Sequence, residues 1–273
     1  MQNCAVIYLE RWCNKPYFSQ TFLSSITRFT AGAGYDYVHV LKGFQEGTTS
    51  EPLEEYRKSV RLNTQVFRVS DEKLPTGTLL PILKELPHEK ILLFMSWSRL
   101  LAPNWLRSYL SAFDSVESCG IVGATSGYER SNYKDLTQPF PNIGVRTTGF
   151  MIDRRMFIDM ADGYVTTRND EINFESGTDG LTKKIMRRGL KPVVVDKAGK
   201  AWRAEEWPRS KTFRSGFQEG LLVADNRTYD YDVSPPKRRK WLAEINWGAE
   251  ADAPPASYKR RLNSYLDWHY RSR

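Results

Sequence analysis

Between Trp202 and Asn226 the chain interleaves the aromatic residues Trp202, Trp207, Phe213 and Phe217 with the cations Arg203, Arg209, Lys211 and Arg214. Aromatic faces stack on sugars and bases, and cations meet phosphates, so this stretch has the chemistry of a lid. The pattern equally suits an edge segment packed over a sheet, and both readings stand. Further polar groups come directly after apolar runs. Glu10-Arg11 follow CAVIYL (Cys4–Leu9), Lys42-Gly43 follow Tyr35–Leu41, and Ser96-Trp97-Ser98 follow KILLFM (Lys90–Met95). In open α/β sheets, ligands bind beyond the carboxyl ends of strands, which is where such residues would lie. No G-x-G-x-x-G, GxxxxGK[ST] or GxSxG motif is present, which disfavours dinucleotide dehydrogenases, P-loop NTPases and α/β-hydrolases.

The elements that would position these residues alternate. Cys4–Leu9, Tyr35–Leu41, Thr64–Val69, Lys90–Met95, Cys119–Ala124, Thr148–Ile152 and Pro192–Asp196 are short apolar runs of the buried-strand type. Phe18, Phe22, Ile26 and Phe29 fall on one face of a helix opened by Pro16. Helices are also predicted over Glu51–Val60, over Leu79–Leu86, from Pro103 onward, and from a Thr178 cap to Gly189. A loop is expected over 126–145. This alternation predicts a doubly wound α/β domain over 1–232. Composition changes after Asp232, where Ser-Pro-Pro leads into Lys237-Arg238-Arg239-Lys240. Residues 233–273 are therefore predicted to form a basic linker and a C-terminal amphipathic helix, with Tyr258, Leu262, Tyr265, Leu266 and His269 on one face.

Composition narrows the class. Hydrophobic residues at 40% suffice for a sizeable core. Cys4, Cys13 and Cys119 are scattered, and with only His39, His88 and His269 beside them they make no zinc pattern. They read as free thiols in a reducing compartment. No secretory leader pattern opens the chain, and no apolar run approaches the ~18 residues of a membrane span, so a cytoplasmic location is expected. The formal net charge is +8, and nine Lys/Arg against four Asp/Glu lie between Lys237 and Arg273. Such an end suits an anionic surface and points to peripheral contact with the inner membrane.

The run KILLFMSWSRLLAPNWLRSYLSAF, followed by SCGIVGATSGYE, resembles the middle of family 2-like glycosyltransferases of the GT-A fold. RTTGFMIDRRMF is similar to the strand that shapes the acceptor site in that family, and NFESGTDGLTKKIMRRGLKPVVVD to its carboxylate-bearing segment. The resemblance spans residues 4–200. It implies a GT-A-type, mostly parallel sheet flanked by helices, and sugar transfer from a nucleotide-diphosphate donor to a hydroxyl of a glycan or lipid-linked glycan, as in surface polysaccharide biosynthesis. By this likeness Glu175 is the general base, with Asp179 as second candidate; Glu175 could instead face the N-terminus of the following helix. Leu9, Glu10, Arg11, Lys42, Ser96, Trp97 and Ser98 fall on the donor side, and Thr147, Thr148, Trp202 and Trp207 on the acceptor side.

One departure matters. Ser96-Trp97-Ser98 stands where the family carries a metal-binding Asp-x-Asp, and no His occurs between residues 89 and 268. Hydroxyls alone are poor ligands for a hard cation, so the likeness implies a metal-independent enzyme with no cofactor beyond its nucleotide-sugar substrate. The diphosphate would then be met by cations from Arg11, Lys42, Arg99, Arg146, Arg203 and Arg214, with Arg146 and Arg203 foremost. Two other readings remain. One is a catalytically inactive GT-A-like module that binds glycan or a partner enzyme. The other is a basic nucleic-acid-binding protein, for which no recognition motif is visible, so no nucleic acid is expected.

Overall fold

The computed structural model describes residues 3–59, 64–72, 74–130 and 139–252. Strand β1 (Cys4–Arg11) is buried along nearly its whole length because its alternating side chains serve two cores. Ala5, Ile7 and Leu9 pack on one face of the sheet; Cys4, Val6 and Tyr8 pack on the other. This two-sided burial is why the run reads as continuously apolar. Helix α1 (Pro16–Arg28) opens on its proline and buries Phe22, Leu23 and Ile26. Strand β2 (Asp36–Lys42) lies parallel to β1, and after α2 (Glu51–Ser59), β3 (Thr64–Val69) lies parallel to β2. Helix α3 (Pro75–Glu85) then carries the chain to β4 (Lys90–Met95), which pairs in parallel with the other edge of β1.

Beyond β4 come the short β5 (Arg99–Leu100), helix α4 (Trp105–Ser115) and β6 (Cys119–Gly123). The short strands β7 (Ser126–Gly127) and β8 (Gly144–Val145) pair with each other, and β9 (Phe150–Asp153) inserts antiparallel between β4 and β6. Helices α5 (Arg154–Ala161), α6 (Arg168–Ser176) and α7 (Leu181–Arg187) precede β10 (Lys191–Val195), which is parallel to β6, and β11 (Ala201–Arg203) closes that edge. Then follow α8 (Trp207–Ser210), β12 (Val223–Ala224), α9 (Asn226–Val233) and α10 (Pro236–Trp247).

The main sheet runs β11-β10-β6-β9-β4-β1-β2-β3. It is the mostly parallel, doubly wound α/β sheet that the alternation predicts. Strand order reverses at β1, so the switch point lies between β1 and β4. Helices α1, α2 and α4 cover one face, and α3, α5, α6 and α7 the other.

Several segments differ from expectation. The helix expected to start at a Thr178 cap starts at Leu181 with Gly180 at its N-cap, and Glu175 belongs to the preceding α6. Of the two readings of Trp202–Asn226, a lid or a segment packed over the sheet, the packed one holds, because Trp207 and Phe213 are wholly buried in the core. Pro236–Trp247, expected as basic linker, is helical and buries Leu242, Ala243 and Trp247. The expected helical face from Tyr258 to His269 lies outside the described residues.

Candidate functional site

Glu175 stands in the last turn of α6, and both ends of that helix are fixed. At its start, Thr167 Oγ1 accepts a hydrogen bond from Asp170 N (3.2 Å) while the Asp170 carboxylate accepts from Thr167 N (2.7 Å), a reciprocal capping box. At its end, Asn142 Nδ2 donates to Ser176 O (3.0 Å) and Lys183 Nζ to Gly177 O (2.7 Å), satisfying terminal carbonyls. The chain leaves through Gly177, where a Cβ would come within 2.7 Å of Asn173 Cα. Glu175 Oε1 accepts a hydrogen bond from Thr147 Oγ1 at 3.2 Å. Burial and the nearby Glu171 carboxylate push the Glu175 carboxyl up from 4.5 to about 6, against the opposing pull of Thr147 and Arg146.

Thr147 and Arg146 sit just past β8, at the carboxyl end of β6, where Arg146 N donates to Thr125 O (3.0 Å). The close approach is made by Gly123, whose added Cβ would meet Val145 Cγ1 at 2.4 Å. The lack of a side chain at Gly123 leaves that side of β6 open to the Val145 side chain. The Arg146 guanidinium is held on three sides: Nη2 donates to Asp225 Oδ2 (3.1 Å), Nη1 lies 3.7 Å from Glu129 Oε1, and Phe213 lies under it with its centroid 4.4 Å away. Asp225 is the buried N-cap of α9, accepting from Arg227 N and Thr228 N. Burial raises its carboxyl, but Arg146 and these amides hold it below the ordinary value.

Arg214 is almost completely buried and donates from Nη1 to Glu129, so Glu129 bridges the two guanidiniums. Its backbone is left-handed (φ 45°), as are those of Lys211 (φ 53°) and Gln218 (φ 54°) in the same loop. Such conformations cost non-glycine residues about 1–2 kcal/mol each and persist only where surrounding contacts dictate them. Here Gln218 Oε1 accepts from Arg214 N (3.1 Å), and Gln218 Nε2 donates to Thr228 O (2.9 Å).

Glu175, Thr147, Arg146 and Arg214 line one open cavity of about 510 Å³, within the size of small-molecule sites. Asn142, Glu129 and Arg227, none of them singled out by the sequence, share its polar wall with Arg238, which the sequence shows only as part of a basic run. They reach it from segments far apart in the chain, as in the Arg146–Asp225 pair at a separation of 79 residues, so no local pattern announces them.

The other expected residues lie elsewhere. Asp179 is paired with Arg187 and with Lys184 (3.3 Å) outside the cavity, and Thr148 is not part of its wall. Arg203 is exposed at the end of β11. Trp202 Nε1 donates to Asp196 (2.9 Å), and Trp207, with no exposed surface, donates to Trp202 O (3.1 Å). Trp207 is a core residue, with nothing to offer an acceptor.

At the switch point, Ser96 Oγ donates to Leu9 O (2.9 Å), and Ser98 Oγ accepts from Met95 N (3.0 Å). Glu10 is buried and accepts from Ser19 (2.8 Å) and Ser50 (2.9 Å), while its other oxygen meets His39 Nε2 (2.8 Å). Lys42 and Arg11 are both paired with Asp71, which holds that carboxyl below its ordinary value. A divalent cation clamp does not fit these residues, since the neutral hydroxyls at 96 and 98 are poor ligands for a hard cation and the Glu10 carboxylate is engaged by Ser19, Ser50 and His39. Among the described residues no set of three or more His, Cys, Asp or Glu converges as a metal site. What this end does present is aromatic: Trp97 lies against Phe18 (centroids 3.8 Å apart), and the exposed Trp12 covers Gly43.

No family model and no curated protein matches the sequence. Solved structures do. A mannosyltransferase from Pyrobaculum calidifontis, in complex with GDP-Man and Mn2+, superposes with a TM-score of 0.51 at 11% identity, covering 77% of this chain and 60% of its own. The chain thus spans about 60% of the length of that enzyme. The 1–349 piece of S. aureus TarS gives 0.49 at 12% identity over 90% of this chain and 65% of its own. A 4-diphosphocytidyl-2C-methyl-D-erythritol synthase from Anaerococcus prevotii gives 0.45 at 15% identity over 71% and 86%. With the mannosyltransferase likeness added to the sheet order and its antiparallel β9, the chain has a GT-A-type glycosyltransferase fold.

Proposed function

We propose that this chain transfers a glycosyl group from a nucleotide-diphosphate sugar to a hydroxyl of a glycan, with Glu175 as general base. The observation that carries this reading is the Glu175 carboxyl, half-buried and raised to about 6, hydrogen-bonded to Thr147 on a cavity at the carboxyl side of the sheet. A base with that proton affinity is ionised at neutral pH yet basic enough to take a proton from an attacking hydroxyl. The donor would lie at the switch point, its base against the Trp12, Trp97 and Phe18 aromatics and its diphosphate toward Arg11 and Lys42. Because positions 96 to 98 offer neutral hydroxyls and no carboxylate, we propose transfer without a divalent cation. The glycan's place in surface polysaccharide assembly at the inner membrane belongs to the same proposal. Among the described residues no helix is long and apolar enough to cross a membrane.

The test is turnover of UDP-, GDP-, dTDP- and CMP-linked sugars against glycan acceptors, in EDTA and in Mn2+. Transfer that survives EDTA and collapses in Glu175→Gln is the expected result. Transfer strictly dependent on Mn2+ would refute the metal-free mechanism and leave the transferase intact. The neutralisation of Arg11 and Lys42 by Asp71 favours a second reading, a module that keeps the fold and binds glycan without turning over a donor. Glycan binding with no turnover of any donor selects it.

A further inference from the structure

We infer that the cavity in front of Glu175 receives an acidic glycan, a chain bearing carboxylate or phosphate groups, whose anionic oxygens are met by Arg227 beside the Arg146 and Arg214 guanidiniums of the same wall. This rests on the reading of Glu175 as base and adds the chemistry of the acceptor.

Five arginines line the cavity, Arg130, Arg146, Arg214, Arg227 and Arg238, against the carboxylates of Glu129, Glu175 and Asp230. Part of that positive charge is answered within the protein. Arg146 pairs with Asp225 and Glu129, Arg214 with Glu129, and Arg238 with Asp230 at 3.0 Å. What remains is specific. The Nε atoms of Arg146 and Arg214 are buried and have no hydrogen-bond partner, although both side chains form the cavity wall. A guanidinium offers five N–H donors, so both arginines keep donor capacity that their carboxylate partners leave unanswered. Arg227, exposed in the first turn of α9, has no carboxylate partner among the described residues. The wall therefore carries guanidinium groups of the kind that hold planar or tetrahedral oxyanions. A neutral sugar would leave the Arg227 charge unanswered.

The anion belongs to the acceptor and not to the leaving diphosphate because of where the base stands. In a single displacement the attacking hydroxyl and the leaving group occupy opposite sides of the anomeric carbon. The base that takes the hydroxyl's proton shares the acceptor's side. Arg146 and Thr147 are chain neighbours flanking Glu175, so the guanidinium wall is on the acceptor's side too. The hydroxyl oxygen bonds to the anomeric carbon, its proton passes to Glu175, and the donor's C–O bond breaks with the electron pair leaving on the diphosphate.

The test is calorimetric titration of the full chain, without donor, with three probes of matched length: an uncharged oligosaccharide, an oligomer of hexuronic acid, and a glycan chain joined by phosphodiesters. At least one charged probe should bind tenfold or more tighter than the neutral one, and which one does so identifies the anion. Arg227→Gln, an exposed change whose folding is checked by thermal melting, should weaken that probe about tenfold, with Arg227→Lys recovering part. Nucleoside diphosphate should leave the binding intact. Equal binding of the neutral probe, no effect of Arg227→Gln, or displacement by UDP or GDP would overturn the proposal. Charged-probe binding without turnover of any donor upholds it while refuting the transferase reading. Turnover with neutral acceptors alone does the reverse.

Discussion

At the level of single residues, the raised carboxyl of Glu175 has opposite effects on chemistry and on folding. Its ordinary value is 4.5 and its folded value about 6, so folding favours the protonated form. The stabilisation that protonation brings is complete below 4.5 and is lost as pH rises through 6. Glu175→Gln should therefore raise stability at pH 7.5 by about 1–2 kcal/mol, read by denaturant melting, while transfer falls by about 10²–10⁴-fold. The wild-type kcat/KM should climb with pH through a limb near 6, set by the same group. Glu129 acts on the opposite charges. Replacing it with Gln removes the carboxylate shared by Arg146 and the almost fully buried Arg214, and should cost about 1–3 kcal/mol. The family likeness named Glu175 and Thr147, and the missing metal motif named Arg146 and Arg214 as cations for the diphosphate. Glu129 and Asp225 were not singled out, although Glu129 ends the run SCGIVGATSGYE, because the arginines they clamp come from distant segments.

At the level of elements, the position of Glu175 depends on α6 ending where it does. Gly177→Ala would place a Cβ 2.7 Å from Asn173 Cα, in its own helix's backbone, so the last turn must shift and carry Glu175 away from Thr147. The expected outcome is a fall in kcat larger than the loss of thermal stability implies. Thr167→Ala removes the cap at the far end and should cost about 1 kcal/mol with kcat retained. That cap is legible: Thr167-x-x-Asp170 is a capping box in the sequence, and it opens the helix that carries Glu175. The strands were legible because two-sided burial leaves an apolar run, and Lys90–Met95 matches its predicted limits. Trp202–Asn226 was not. Its alternation of aromatics and cations has no period, and its fate is decided by tertiary contacts such as Trp247 Nε1 donating to Phe213 O (2.8 Å).

At the level of the molecule, α10 closes the fold over the cavity's supporting loop. Trp247 is buried with its ring centroid 5.0 Å from that of Tyr128, and its indole N–H holds the loop carrying Arg214. Trp247→Ala should cost about 3–5 kcal/mol and weaken ligand binding at the cavity together with stability, because the left-handed turn at Arg214 loses the contact that imposes it. In the sequence this region shows only its charge. Lys237 and Lys240 are solvent-facing on a helix whose apolar side is what docks, and a four-residue cationic run hides that side from a composition reading. Arg239, inside the same run, is buried.

The two serines at the switch point also bear on any attempt to install a metal motif in this fold. Ser96 donates its hydroxyl proton to the Leu9 carbonyl, and Tyr8 donates to the Ser96 carbonyl (3.0 Å), lacing β1 to β4 at their carboxyl ends. An aspartate at 96 has no proton to give and would turn its lone pairs on that carbonyl. At 98 it would have to keep its acceptor bond to Met95 N while also reaching for a cation. Grafting Asp-x-Asp here trades a strand-to-strand tether for electrostatic repulsion, so the double substitution should open the joint between β1 and β4 before it gains any affinity for Mn2+.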